Sequence, residues 1–426
     1  MAKSDTVYPL SAVRALALHA QALTTPAGAE PTPTPDAMCE IVERLGCVQL
    51  DTLQVVRRSH YLVPWSRLGS YDPADLDRLI YGRPASPSDE NPRRLFEGWL
   101  HAACIIPLSE YRYRLPYMRR LREHPAKMTH RWLSQPSSAE FLASAMERIR
   151  RQGPLRAADF EYTGPRRGSW WDWKPAKTAL EHLFARGDLM VADRVSNFQR
   201  AYDLRERVLP DWVDRTEPTW DDMARHVLEH AVRSFGLCRP GQAADYIHHI
   251  KRTPARPFVK ELLAEGLFLA VQADLCDGKK HRLIVHRDNL PLLEQAADGA
   301  LTAERTTFLS PFDNLFWVQG RDEQFWGFRN VLEAYKPREE RKWGYFCLAI
   351  LHKDRFVGRF DPKMERQAGT LRLKSLYLEP GIDPDGELVS GVAAAMRDFM
   401  AFHDARDLVV EGSQPVAFGE KLLAAL

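Results

Sequence analysis

At 426 residues, 45% of them hydrophobic and 27% charged, the chain is long enough for about three domains of ordinary globular composition, which excludes wholesale disorder and fibrous architecture. Lysine plus arginine total 59 against 57 for aspartate plus glutamate. A net charge of +2 excludes a uniformly basic, histone-like binder but permits local polarisation. No apolar run approaches the roughly 18 to 20 residues of a membrane span, and Met1–Pro9 has no signal-like apolar core, so a cytoplasmic location with no membrane partner is expected. The cysteines Cys39, Cys47, Cys104, Cys238, Cys276 and Cys347 form no CxxC pair. With no HExxH, P-loop or GxGxxG motif either, reduced thiols, no metal and no cofactor are expected.

In chain order, Leu10–Leu23 has the apolar spacing of a helix, and the proline-rich Thr24–Pro35 is a loop. A second helix is expected over Asp36–Leu45, with Asp36 as its N-cap and Gly46 as its stop. Cys47–Leu53 reads as an extended segment. Between His101 and Trp132 there are seven lysines or arginines against two acids, with Tyr111, Tyr113 and Tyr117 interleaved. Basic residues mixed with aromatics suit phosphate contact and base stacking; a solvated helix with its tyrosines in the core fits equally.

Helices over Ala139–Arg150 and Lys174–Arg186, a short helix from Gly153 to Phe160, a turn at Gly164–Gly168 and strands over Leu189–Arg194 and Asn197–Leu204 give winged helix-turn-helix order. The order returns with helices over Trp220–Phe235, Arg239–Ile250 and Pro257–Glu265 and strands over Leu267–Ala273 and His281–Val285. From about residue 300 the period changes. Strands are expected over Trp343–Leu351, Arg355–Phe360 and Gly369–Leu378, with a closing helix over Ser390–His403. The expected fold is therefore α+β: tandem winged helices at 1–135, 136–215 and 216–298, then an antiparallel β-rich domain at 299–426.

Gln49-Leu50-Asp51 carries candidate chemistry. In an extended segment, residues two apart share a face, so the Gln49 amide and Asp51 carboxylate point together while Leu50 turns inward. Such a pair can hold a water molecule, accept its proton and stabilise positive charge on a sugar. Alternatively, Asp51 simply caps a helix.

The run from Gly46 through Gln49-Leu50-Asp51 to Arg57-Arg58-Ser59-His60 resembles the signature of the YcaQ/AlkZ family of bacterial DNA glycosylases. Three later runs agree in order: Gly168-Ser169-Trp170-Trp171-Asp172-Trp173-Lys174-Pro175-Ala176-Lys177, Gln199-Arg200-Ala201-Tyr202-Asp203-Leu204 and Leu309-Ser310-Pro311-Phe312-Asp313-Asn314-Leu315. The resemblance covers roughly residues 8 to 380. It implies tandem winged helices curved around DNA, excision of N-alkylated purines and, in some members, unhooking of interstrand crosslinks. The aspartate form of the triplet resembles the YcaQ branch and implies Gln49 and Asp51 as the catalytic pair. Where that branch reads Trp-Ala-His-Glu-Ala, this chain has Trp99-Leu100-His101-Ala102-Ala103, keeping the histidine without its neighbouring acid.

An alkylated purine is cationic and leaves readily, so the reaction needs water and a stabilised sugar cation, with no lysine nucleophile, metal or nucleotide. The expected protein is a monofunctional, nucleoid-associated glycosylase acting as a monomer on double-stranded DNA with alkylated bases or crosslinks, at a site open enough for bulky bases. Arg57, Arg58, Arg112, Arg114, Arg119 and Arg120 are candidate DNA contacts, with Lys174 and Lys177 as weaker ones. His101 is a pocket candidate, or else a core histidine. Trp170, Trp171 and Trp173 suit packing better than wedging, and Pro311-Phe312-Asp313 suits a turn. The rival reading is a winged-helix transcription regulator, which has no need of Gln-Leu-Asp.

Overall fold

In a computed structural model, residues 6–25, 33–83, 91–125, 127–160, 175–247 and 250–426 are described. The helix Leu10–Ala20 buries Ala12, Val13, Leu16 and Ala17. They join a core with Leu237, Val271, Leu283, Leu309 and Leu351, more than 200 positions away. Ahead of that helix, Val7–Tyr8 lies parallel to Gln272–Ala273. The N-terminal segment thus packs with the distant half of the chain. The chain divides into one unit of Met1–Pro73 with Val227–Leu426 and another of Ala74–His226.

In the first unit, the second helix runs Pro35–Leu45. Its cap is Thr34, not Asp36: the Thr34 hydroxyl accepts the Ala37 N–H, and Asp36 sits inside the first turn. Gly46 ends the helix at φ 77°, and a Cβ there would lie 2.7 Å from His230 Nε2. The helix Ser59–Leu68 follows. Its Trp65 packs on Phe399, 5.0 Å between centroids, within an aromatic cluster that includes Phe308 and Phe360.

The strands Phe268–Asp274 and Lys280–His286 form the expected antiparallel wing after the helix Arg252–Ala264. Among the described residues of the helix expected over Arg239–Ile250, the structure holds a 3-10 turn at Pro240–Asp245. There Arg239 N–H and Gln242 Oε1 close a capping box around Pro240 and Gly241.

The last sheet comprises Thr306–Leu309, Leu348–His352, Arg355–Glu365, Thr370–Leu378 and Asp407–Val410 in that spatial order, with Ser413–Gln414 also beside Thr370–Leu378. It is mixed, not wholly antiparallel: the last two strands run parallel to Thr370–Leu378, because the helix Gly386–Phe402 carries the chain back. The strand expected from Trp343 begins only at Leu348, since the backbone from Lys342 to Phe346 binds side chains instead of a neighbouring strand.

The second unit holds an antiparallel hairpin, Leu95–Trp99 with Ala103–Pro107, then a 3-10 segment Leu108–Arg114 and the helix Leu115–Glu123. Its winged element has helices Ser138–Gln152 and Pro175–Ala185 and strands Leu189–Val195 and Gln199–Leu204. The short helix expected after Gly153 is instead a strand, Leu155–Arg156, on the edge of that sheet, followed by one 3-10 turn. The turn at Gly164–Gly168 lies outside the described residues.

Candidate active site

The segment after Gly46 is a short strand, Val48–Gln49, and then irregular backbone up to the helix at Ser59. Irregular backbone holds its shape only if its polar groups find partners elsewhere. Here the Tyr246 hydroxyl donates to Leu45 O at 2.7 Å, and Asn314 Nδ2 donates to Cys47 O at 2.8 Å. Further along, Met364 N–H donates to Val55 O at 3.1 Å, and Arg366 Nη2 donates to Val56 O at 3.0 Å. Residues 45–56 are therefore pinned at both ends by groups far off in sequence.

Leu50 is buried, while Gln49 and Asp51 on either side are half-buried, as alternation demands. Asp51 caps no helix, since the next begins at Ser59. Its Oδ1 accepts the Leu53 N–H at 2.7 Å in a local turn. Desolvation pushes its carboxyl above the usual aspartate value; the Leu53 and Thr52 N–H groups and the charge of Arg58 pull only partly against this. Asp51 keeps part of its surface in solvent, and its loop neighbours Thr52 and Gln54 are exposed.

The arginine doublet divides its tasks. Arg58 is half-buried and acts electrostatically on Asp51. Arg57 donates from Nε to Phe402 O at 2.6 Å, pairs with Asp404 at 3.0 Å and lies over the Phe402 ring, so it fastens the end of a helix. Asp313 forms a fully buried pair with Arg67 of the helix Ser59–Leu68 and accepts the Leu315 N–H. The Pro311-Phe312-Asp313 turn is therefore scaffold that sets the helix behind the candidate site.

In the second unit, Arg119 and Arg120 are exposed on Leu115–Glu123, Arg119 pairing with Glu217 at 3.1 Å and Arg120 lying over the Trp220 ring. Arg112 is half-buried and bound to Asp214 at 2.7 Å. Arg114 corrects the expectation of a surface contact: it is 5% exposed and donates to Trp99 O at 3.1 Å, so its charge serves the hairpin. Tyr111 is likewise a core residue. His101 is half-buried in the hairpin turn, where Leu100 N–H meets Ala102 O. Lys177 is exposed; Lys174, Trp170, Trp171 and Trp173 lie outside the described residues. The tethering role of Tyr246 has no signal in the local sequence.

The model of the AlkZ-like DNA glycosylase family matches residues 42–402, and the chain belongs to that family. The fold agrees. The structure of the Streptomyces sahachiroi DNA glycosylase AlkZ is similar over 96% of this chain and 100% of that one, with a TM-score of 0.59 at 16% identity. The protein is a DNA glycosylase with DNA as its substrate, as the Gln49-Leu50-Asp51 signature implied. Among the described residues, no helix is long and apolar enough to cross a membrane.

Proposed function

We propose that the enzyme hydrolyses the N-glycosidic bond of N-alkylated purines in duplex DNA, crosslinked purines included, as in the YcaQ-like branch. Asp51 is the general base and Gln49 the group that orients water. As the bond between base and sugar C1′ breaks, its electron pair neutralises the cationic base. The water oxygen bonds to C1′, and its proton passes to Asp51, whose negative charge also steadies the sugar cation. The products are a free base and an abasic site.

The observation that carries this reading is the setting of Asp51: half-buried on backbone fastened at both ends, where burial pushes its carboxyl up and the charge of Arg58 pulls only partly against it. A carboxyl raised above the ordinary aspartate value is a stronger base than an ordinary one. Exposed Thr52 and Gln54 favour room for a bulky adduct. Arg58, Arg119, Arg120 and Lys177 are proposed to bind phosphates, with the enzyme acting as a monomer.

The test is product analysis on duplexes carrying one 7-methylguanine or one purine–purine crosslink. Free base, an alkali-labile site and an uncut strand are expected from the first, and unhooked strands from the second. Immediate strand cleavage would refute the monofunctional step, and intact crosslinks would confine the enzyme to monoadducts. Gln49→Ala should slow release about tenfold to a hundredfold if Gln49 holds the water.

A further inference from the structure

Three side chains of the run Leu309–Leu315 bond to residues on either side of the Gln49-Leu50-Asp51 triplet, at separations of 246 to 267 positions in sequence. Ser310 Oγ shares a hydrogen bond of 2.7 Å with Ser59 Oγ at the start of the helix Ser59–Leu68. Asp313 Oδ1 accepts from Arg67 Nη2 at 2.9 Å, near the other end of that helix. Asn314 Nδ2 reaches the opposite side of the triplet and donates to Cys47 O at 2.8 Å, two residues ahead of Gln49. Ser310, Asp313 and Asn314 are all buried. The turn that carries them is itself braced: Phe312 N–H donates to Ser310 Oγ at 3.2 Å, and Asn330 Nδ2 to Pro311 O at 3.0 Å.

The chemistry at position 314 is narrowly defined. Asn314 Nδ2 also donates to the Tyr246 oxygen at 2.8 Å. Burial pushes the Tyr246 hydroxyl well above its ordinary value, so it keeps its proton and gives it to Leu45 O at 2.7 Å. With that proton committed, the Tyr246 oxygen is an acceptor towards Asn314, and Cys47 O can only accept. The side chain at 314 must therefore donate twice, which an amide does and an ionised acid or an aliphatic group of similar size does not. The two carbonyls held in this way flank Gly46, where the helix Pro35–Leu45 ends and the strand Val48–Gln49 follows. The Tyr246 ring is fixed in turn, edge-on to Phe235 at 4.7 Å between centroids and 4.9 Å from Trp317.

We propose that Asn314, with Tyr246, is a positioning residue for the reaction: by fixing the Leu45 and Cys47 carbonyls it sets the backbone from which Gln49 and Asp51 are aimed at water and sugar. The proposal rests on the reading of Gln49 and Asp51 given above and gives the Leu309–Leu315 run a part in rate as well as in folding. Both residues are fully buried, so they act through the backbone they hold. Along an extended segment, a tilt in one peptide is passed to the side chains that follow. Displacing a reacting group by about 1 Å costs on the order of a hundredfold in rate. A loosened segment also readmits water around Asp51, whose carboxyl is raised by desolvation. Losing the tether therefore changes the rate and its acid limb together. Affinity for undamaged duplex, a matter of surface charge, stays as it was.

Single-turnover release of 7-methylguanine is followed across pH for wild type, Asn314→Leu, Tyr246→Phe and Asp51→Asn, below the melting points of the folded proteins. Affinity for undamaged duplex is measured in parallel. Asn314→Leu should be slower by roughly tenfold to a hundredfold with affinity held, and its acid limb should move down toward the ordinary aspartate value. Tyr246→Phe loses one oxygen and keeps its ring; it should be slower by about threefold to tenfold, with a limb shift of the same sign. A residue that only stabilises the fold moves the melting temperature and neither of these readouts. A wild-type rate and limb in Asn314→Leu overturns the positioning role. Should that variant fail to fold, a wild-type rate and limb in Tyr246→Phe overturns it. The Asp51→Asn arm reports on the underlying reading: full activity there removes Asp51 from the chemistry whatever the other variants do.

Discussion

Asp51 and Glu97 are both carboxylates drawn away from water, and their surroundings send them in opposite directions. Glu97 lies in the hairpin of the Ala74–His226 unit and is 2% exposed. Burial would raise it, but Arg194 at 2.6 and 2.8 Å, Arg200 at 3.1 Å and the Tyr81 hydroxyl at 3.0 Å outweigh that and hold it below the usual glutamate range. Asp51 has backbone donors and the charge of Arg58, and these do not offset its desolvation. A sealed acid bound by two guanidinium groups is spent on structure. A half-open acid with incomplete compensation keeps its basicity for a substrate.

The largest effect that can break this contrast is on stability. Glu97→Ala leaves Arg194 and Arg200 facing each other without their shared counterion, and urea denaturation should show a loss of about 3–5 kcal/mol. A loss below about 1 kcal/mol would mean that the cluster is not what holds the hairpin to the wing. Because the folded pKa of Glu97 is depressed, its contribution is complete at neutral pH and disappears as pH falls through the folded value.

Next comes the acid limb of excision. Catalysis by ionised Asp51 should fall as pH drops through a pKa above the ordinary aspartate value of about 3.9. Single-turnover rates at fixed ionic strength would show it, and a limb at or below the ordinary value contradicts the environment assigned to Asp51. A smaller effect has the opposite sign to that of Glu97. Since the folded pKa of Asp51 is raised, its ionised form costs stability at neutral pH, so Asp51→Asn should melt at a higher temperature than wild type at pH 7. The gap should close below the unfolded pKa. The smallest effect concerns the exposed arginines. Arg119→Ala with Arg120→Ala should reduce the slope of log affinity against log salt by about two if both touch phosphate.

Much of this was legible because it is local. Gly46 stops a helix, alternation buries Leu50 between two polar neighbours, and the wing at Leu189–Leu204 follows its helix directly. What stayed hidden depends on partners hundreds of residues off. Arg57 reads as a phosphate contact until Phe402 and Asp404 claim it, and Arg114 until the Trp99 carbonyl does. The Arg239–Ile250 run has helical spacing, but among its described residues only Pro240–Asp245 forms a 3-10 turn, with Gly241 weakening an α-helix at its head. Parallel strands after Gly386–Phe402 depend on a crossover that alternation cannot reveal.

The central claim is that one half-open aspartate performs the chemistry. The direct measurement is single-turnover release of 7-methylguanine from duplex DNA by wild type and Asp51→Asn, with DNA binding followed in parallel. A fall of about a hundredfold or more with binding intact is the predicted result. Equal release by the two proteins would contradict it.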